Sequence, residues 1–246
     1  EPSPDGYKYC FMVPSTFLLL RRNGCVFATG NTGKTLSAIW AADYLMDKGI
    51  VRKAAVLTPL STMESVWTNE IHGHLMFKRK AIVVHGAADK RRKALNYDAD
   101  FYIINHHGVK SNYKALAARN DIDLWIVDEA AVFRNPSADL YNHLFDLTQD
   151  APMVWMMTGT PVPKAPTDAW ALGKILKNPT LPKYFNGFKH ETMIQVTPFK
   201  WAAKPGGYQR AYEVLQPGIR YKKEDCIDLP PVVFTHRDCE LTKHQK

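Results

Sequence analysis

Cys25-Val26-Phe27-Ala28-Thr29-Gly30-Asn31-Thr32-Gly33-Lys34-Thr35 is the stretch on which the fold turns. An apolar run of strand character enters a glycine-containing turn. The turn opens a helical pattern from Gly33 to about Asp47, with Leu36, Ile39, Trp40, Tyr44 and Leu45 as its apolar stripe. Strand, loop and helix start, in that order, form the context that a phosphate loop requires, here over Ala28–Thr35. Backbone N–H groups of Gly30, Asn31, Thr32 and Gly33 can surround phosphate oxygens at the helix N-terminus. Lys34 brings a positive charge to the β and γ phosphates, and Thr35 a hydroxyl to Mg²⁺. Gly33 lets the backbone approach the phosphates closely. Ala28 stands where the pattern begins with glycine. Asn31 stands where many such loops carry glycine, and asparagine is the next best residue for left-handed backbone. The competing reading is an ordinary strand–helix turn, which Gly33-Lys34-Thr35 in this context disfavours.

Outward from the loop, strand and helix signals alternate. Ala54–Thr58 is the next strand, ended by Pro59. Ser61-Thr62-Met63-Glu64 reads as a capping box that starts a helix running to about Ile71. Ala81–His85, Phe101–Asn105, Leu124–Asp128 and Val154–Thr158 read as buried strands. Helical patterns lie between them near Asp89–Asn96, Tyr113–Arg119 and Ala138–Leu147. Strands apolar throughout, each followed by a helix, predict an α/β fold: a mostly parallel sheet with helices on both faces. Ligands of such sheets bind at the carboxyl ends of strands. Leu124-Trp125-Ile126-Val127 ends at that position in Asp128-Glu129. Burying charge is costly, and a central strand has no structural need for two carboxylates. With a phosphate loop on a neighbouring strand, the economical reading makes Asp128 a Mg²⁺ holder and Glu129 the group that orients and deprotonates an attacking water. The bland alternative is a helix N-cap.

Composition agrees with a folded chain: 246 residues, 46% hydrophobic. No apolar run reaches the roughly 18–20 residues that span a bilayer, and the patch Phe17–Leu20 is followed at once by Arg21-Arg22. A soluble, cytoplasmic protein with no membrane partner is expected. The net charge of +8 fits a polyanionic partner or simply a basic surface, with the basic runs at Lys78–Lys80 and Lys90–Lys93. Cys10, Cys25, Cys226 and Cys239 form no C-x-x-C pair, which favours a reducing compartment over a disulfide or zinc scaffold. His72/His74 and His106/His107 have no cysteine or carboxylate at ligand spacing and read as packing or surface histidines. After about Lys177, proline, glycine, lysine and aromatics become frequent, as in Leu181–Phe188 and Pro198–Tyr208. A small mixed appendage is expected there. The first residue is not methionine, and both ends read as boundaries within a longer parent.

Together these motifs resemble superfamily 2 helicases, and within them the Swi/Snf-related DNA translocases. Asp128-Glu129-Ala130-Ala131 is similar to the DEAD/DEAH box, with Ala131 in the final place. Phe133-Arg134-Asn135-Pro136-Ser137 with Leu140-Tyr141 resembles its Swi/Snf continuation. Thr158-Gly159-Thr160-Pro161 resembles motif III. Leu57-Thr58-Pro59-Leu60-Ser61 with Trp67 and Glu70 resembles motif Ia, and Ile103-Ile104-Asn105-His106 the motif Ib region. Arg220, Asp228-Leu229-Pro230-Pro231, Leu241-Thr242 and Gln245 resemble the segment that joins lobe 1 to lobe 2. The family usually carries an adenine-reading Gln upstream of the phosphate loop, whereas the first Gln here is Gln149. Lys164 stands where an Asn commonly follows motif III.

The resemblance implies a RecA-like ATP-binding lobe over residues 1–178. Residues 179–246 would form an appendage and a linker toward a second RecA-like lobe, which would supply arginine fingers. It implies ATP and Mg²⁺ as cofactors and DNA as partner, duplex favoured and RNA not excluded. Pro59, Ser61 and Asn105 would lie along a phosphate backbone, and Thr158 and Thr160 would couple nucleotide state to that grip. The capping box accounts for Ser61 equally well. Trp67 reads as a core residue rather than a base-stacking platform. Two other classes compete: a non-catalytic nucleic-acid-binding module that keeps the loop fold, and a small-molecule P-loop ATPase or kinase. A compact motor without obvious chromatin-reading attachments is expected of a bacterial or phage protein, by association only.

Overall fold

The computed structural model describes residues 18–22, 25–29, 34–76 and 78–218. Gly30, Asn31, Thr32 and Gly33 lie outside these, as do Cys10, Cys226, Cys239, Arg220 and the stretch 228–245. The chain divides into one compact unit through Gln216 and a second unit, Pro217–Lys246.

Five parallel strands form the sheet: β3 (Lys53–Thr58), β4 (Ala81–Val84), β5 (Phe101–Asn105), β6 (Ile122–Asp128) and β7 (Met153–Met157). Their order across the sheet is β4-β5-β3-β6-β7. Successive side chains point to opposite faces, so each apolar strand feeds two cores. On one face Ala55, Leu57, Tyr102, Ile104, Trp125 and Val127 pack against α3 (Ala88–Asn96), α4 (Gly108–Ala117), α5 (Asp139–Leu147) and α6 (Ala169–Ile175). On the other, Ala54, Val56, Phe101, Ile103, Leu124 and Ile126 pack against α1 (Lys34–Asp47) and the helical segment ending in α2 (Asn69–His74). The predicted two-faced parallel sheet is therefore present.

Four local readings are corrected. Cys25–Thr29 is a strand, β2, but it pairs antiparallel with β1 (Leu18–Arg22) in a two-stranded sheet of its own. Asn23-Gly24 lies between them, the dipeptide that most favours a two-residue hairpin connection. The buried stripe of α1 is Leu36, Ala38, Ile39, Ala42 and Met46, whereas Trp40 and Tyr44 are exposed. Small Ala38 and Ala42 let the helix approach the sheet closely, which the large aromatics would prevent. The predicted capping box does not form: residues 60–62 make a 3₁₀ turn, Met63–Thr68 a π-type turn, and no side chain caps either. Finally, His74 does have a carboxylate neighbour, since Glu70 Oε2 lies 3.3 Å from its Nε2 one helical turn away.

Ion pairs separate the two basic runs. Arg79 donates to Asp43 (2.7 Å) and Asp47 (2.6 Å) of α1, and Lys78 joins the same pair. That run ties β4's approach to α1. Lys90, Arg92 and Lys93 on α3 are exposed, with Arg92 paired, among the described residues, only to Asp89 of its own helix (2.8 Å).

At the amino ends of the strands, Arg119 stacks on the Tyr102 ring (4.5 Å) and grips Asp121 with two nitrogens, at 2.6 and 2.8 Å. Lys53 Nζ adds a second cation at 3.2 Å. The Arg119 hydrogen bonds first, then Lys53, hold the Asp121 carboxyl down at about 2. A carboxyl lower in the folded than the unfolded chain stabilises above its unfolded value, and that contribution disappears as pH falls through the folded one. Asp121→Asn should therefore lower stability at pH 7 by about 1 kcal/mol after solvent screening. The difference from wild type should vanish between about pH 4 and pH 2, as read by urea unfolding across that range.

Candidate active site at the carboxyl edge of the sheet

The five strands end side by side, and polar residues stand at four of those ends. Asn105 closes β5, Thr58 closes β3, Asp128 closes β6, and Thr158 follows β7. Thr58 is paired with Asn105 in register. With strands about 4.8 Å apart, Asn105 and Thr158 are separated by about 14 Å. The chain leaves β3 toward the α1/α2 face, whereas it leaves β5 and β6 toward the other face. The ends of β3 and β6 thus flank a topological switch point, the place where open α/β sheets hold ligands.

Asp128 is fixed at this point by residues far away in the chain. Its Oδ2 accepts the Thr58 hydroxyl (3.2 Å) and the Trp67 indole N–H (3.2 Å). Thr62 Oγ1 lies 2.7 Å from Thr58 Oγ1 and donates to the Pro59 carbonyl (2.9 Å). The π-type turn over Met63–Thr68 carries Trp67, fully buried, to the carboxylate. Such turns are rare and recur at functional sites. A buried indole N–H needs an acceptor, and here the acceptor is the acidic residue of the site. Oδ1 accepts the Glu129 backbone N–H (3.1 Å) and keeps acceptor capacity toward the edge.

Behind Asp128, the His106 ring nitrogen Nε2 lies 2.7 Å from the Asp128 carbonyl oxygen, and Phe133 meets the ring edge-on at 5.4 Å. A carbonyl only accepts, so Nε2 carries the proton. Burial holds the imidazole pKa below its ordinary value, against the opposing pull of that carbonyl. His106 is a neutral brace for the strand end, in agreement with its reading as a packing residue.

Glu129 adopts left-handed backbone (φ 51°) and its side chain makes no capping bond. Such strain in a non-glycine residue collects at functional sites. The turn sends Glu129 to solvent while Ala130 and Phe133 bury beyond it. One carboxylate is thus held in place and its neighbour presented outward.

Lys34 and Thr35 occupy the first turn of α1, both half-buried. Because α1 precedes β3 and runs back across the sheet, its N-terminus lies on the same edge as Asp128. Pro59 is half-buried and Ser61 exposed just beyond β3. Thr158 Oγ1 accepts the Thr160 N–H (3.3 Å), closing a small turn after β7. Asn105 lies against α4 because Gly108 lacks a side chain, whose Cβ would stand 2.6 Å from Asn105 Oδ1. Glu70 faces His74 without hydrogen-bond alignment, and burial pushes its carboxyl up to about 7.

These residues fit a magnesium nucleotide. Mg²⁺ in nucleotide sites is held by one or two protein oxygens plus phosphates and waters, not by an all-protein cage. Asp128 Oδ1 and the Thr35 hydroxyl are oxygen donors of that kind on one edge. Sequence reasoning missed Thr58 and Thr62 as supports of Asp128 and the bond from Trp67. The only signal available was a tryptophan N–H that had to find a partner.

Comparison with known proteins bears on the family and the fold. A bovine protein named SWI/SNF-related matrix-associated actin-dependent regulator of chromatin subfamily A containing DEAD/H box 1 is 24% identical over 244 residues, covering 91% of this chain and 23% of the relative. Its Xenopus tropicalis counterpart is 25% identical, covering 87% and 22%. The ATP-dependent helicase fft3 of Schizosaccharomyces pombe is 30% identical over 138 residues, covering 53% and 14%. The chain thus spans under a quarter of the length of these curated relatives. The Sulfolobus solfataricus SWI2/SNF2 ATPase core in complex with dsDNA matches with a TM-score of 0.60 at 22% identity, over 81% of this chain and 40% of that one. The SNF2-related domain model matches residues 19–246, and with it the RecA-like sheet and its ordered motifs make this chain a member of that family, a Swi/Snf-type lobe.

Proposed function

We propose that this chain is the ATP-binding lobe of a motor that couples ATP hydrolysis to movement on DNA, with duplex the favoured substrate. The observation that carries the reading is Asp128 at the β3/β6 switch point. One of its oxygens is locked by Thr58 and Trp67, and the other opens to the edge beside an outward Glu129. When bound, the magnesium nucleotide supplies a phosphoanhydride and the metal charge that polarises it. Lys34 would neutralise phosphate charge, Thr35 and Asp128 would hold the metal, and Glu129 would orient the attacking water and take its proton. The phosphate-loop pattern of the sequence implies that Gly30, Asn31, Thr32 and Gly33 would cradle the phosphates with backbone N–H groups. Residues 1–178 carry this lobe, and residues 179–246 the appendage and the linker toward a second lobe. That second lobe supplies the arginine on which fast turnover depends, so this chain alone hydrolyses ATP slowly.

Pro59, Ser61 and Asn105 stand on one side of Asp128, and Thr158 and Thr160 on the other. A phosphate backbone would run along Pro59, Ser61 and Asn105, which positions a strand without reading its sequence, and Thr158 and Thr160 would couple nucleotide state to that grip. DNA binding by this chain should then depend steeply on salt. About three phosphates neutralised by the lysines and arginines of this basic chain correspond to a roughly 40-fold loss between about 50 and 200 mM. Fluorescence anisotropy with a labelled duplex measures it, and salt-insensitive binding would remove the nucleic-acid reading. Measured beside it, ATP hydrolysis with and without DNA in a protein containing both lobes separates a motor from a binding module.

A further inference from the structure

The appendage carries a feature that the nucleotide site does not use. α7 (Phe185–Thr192) leads into β8 (Met193–Thr197), which returns antiparallel as β9 (Lys200–Ala203). This is a two-stranded sheet with no third strand among the described residues. A bare hairpin is marginal in water, and this one is supported on one face only. There Trp201 is clamped by α7: Lys189 Nζ lies 3.9 Å from its ring centroid, and the His190 ring meets it edge-on at 5.4 Å. The opposite face leaves Ile194 and Val196 exposed, and at the tip Phe199 is 97% exposed.

The tip is held rigidly. Thr197 Oγ1 accepts the Lys200 N–H (3.1 Å), the Gln195 amide donates to the Pro198 carbonyl (3.1 Å), and Pro198 fixes its own backbone. The root is rigid as well. Lys204 N–H donates to the Thr192 carbonyl (2.9 Å), and a Cβ on Gly207 would stand 2.4 Å from that oxygen and 3.5 Å from Pro166. Pro166 begins the turn that follows the Thr158–Pro161 segment and enters α6, and α6 runs away from the carboxyl edge. The hairpin is therefore rooted on the edge that bears Asp128. Its charge is one-sided: Lys189, Lys200 and Lys204 stand on it, while the acid nearby, Glu191, is paired with Arg210.

The geometry points to the β8–β9 hairpin as a nucleic-acid contact that stacks Phe199 on an unpaired base at a duplex–single-strand junction, its lysines meeting the flanking phosphates. This rests on the nucleic-acid reading above, in which duplex is gripped along the edge, and adds a second contact at the open end of that duplex. An intact duplex offers base edges in its grooves but buries base faces, and inserting a ring between stacked pairs costs unstacking energy. A flat ring on a rigid tip therefore finds its partner where a face is already open. Stacking of this kind tolerates any base, in keeping with a tip whose one amide, Gln195, is already bonded within the turn.

The test compares binding of the whole chain to a fluorescein-labelled blunt duplex and to the same duplex with an unpaired arm. Wild type should prefer the forked DNA. Phe199→Ala should weaken fork binding about five- to tenfold and leave duplex binding within about twofold, whereas Phe199→Trp should keep the preference. A 2-aminopurine in the first unpaired position should be quenched by wild type and not by Phe199→Ala. Thermal melting should be unchanged, because the ring touches no core. Equal fork binding by wild type and Phe199→Ala would overturn the proposal while leaving salt-dependent duplex binding, and so the reading beneath it, intact. A self-association abolished by Phe199→Ala, with no change in DNA binding, would overturn it in favour of a second copy of the chain. Absence of any DNA binding by wild type would overturn both.

Discussion

Glu129→Gln, in a protein containing this lobe and its partner lobe, is expected to lower DNA-stimulated ATP hydrolysis at least about a hundredfold while nucleotide binding survives. The amide keeps the size of the side chain and its place on the left-handed turn at φ 51°. It cannot accept the proton of an attacking water, and a positioned general base contributes roughly 10²–10⁴ in rate. Asp128→Asn should behave differently. Its Oδ2 accepts from Thr58 and Trp67, so an amide turned to present oxygen to those donors places NH₂ where the metal side was. Magnesium should then cease to tighten nucleotide binding, which titration calorimetry with and without Mg²⁺ measures. If Glu129→Gln keeps a tenth of the wild-type rate, another group takes the proton and the role assigned to Glu129 is wrong.

Trp67 carries the second large effect. It is fully buried against the sheet and hydrogen-bonded to Asp128. Trp67→Ala removes a large core side chain and leaves a cavity, for an expected loss of about 3–5 kcal/mol. Trp67→Phe keeps most of the ring and deletes the N–H, so it isolates the polar part, expected at about 1–3 kcal/mol because a half-buried carboxylate loses a donor. Urea unfolding gives both numbers. The Phe variant should also weaken Mg²⁺-dependent nucleotide binding while folding normally. If it changed stability alone, Trp67 would be a packing residue with no part in placing Asp128.

Local pattern made much of the fold legible. Apolar runs such as Phe101–Ile104 and Leu124–Val127 could only be strands covered on both faces, and the structure buries them on both. Asp128-Glu129 stood out because charge after such a run is costly. The same reasoning misjudged Trp40 and Tyr44, since hydrophobicity does not say which flank of a helix can approach a sheet. It also took Ser61–Glu64 for a cap, where the chain forms a π-type turn that aims Trp67 inward.

By itself, then, the sequence determined the alternation of strands and helices, the parallel sheet and the edge on which the acidic pair would stand. Periodicity, turn chemistry and the cost of buried charge act within a few residues and can be read along the chain. Only the tertiary structure decided that β2 pairs with β1, that Trp67 and Thr58 hold Asp128 from 61 and 70 residues away, and that Phe199 stands on a rigid tip. Strand order and helix packing bring those groups together, and neither is encoded in the residues that surround each one.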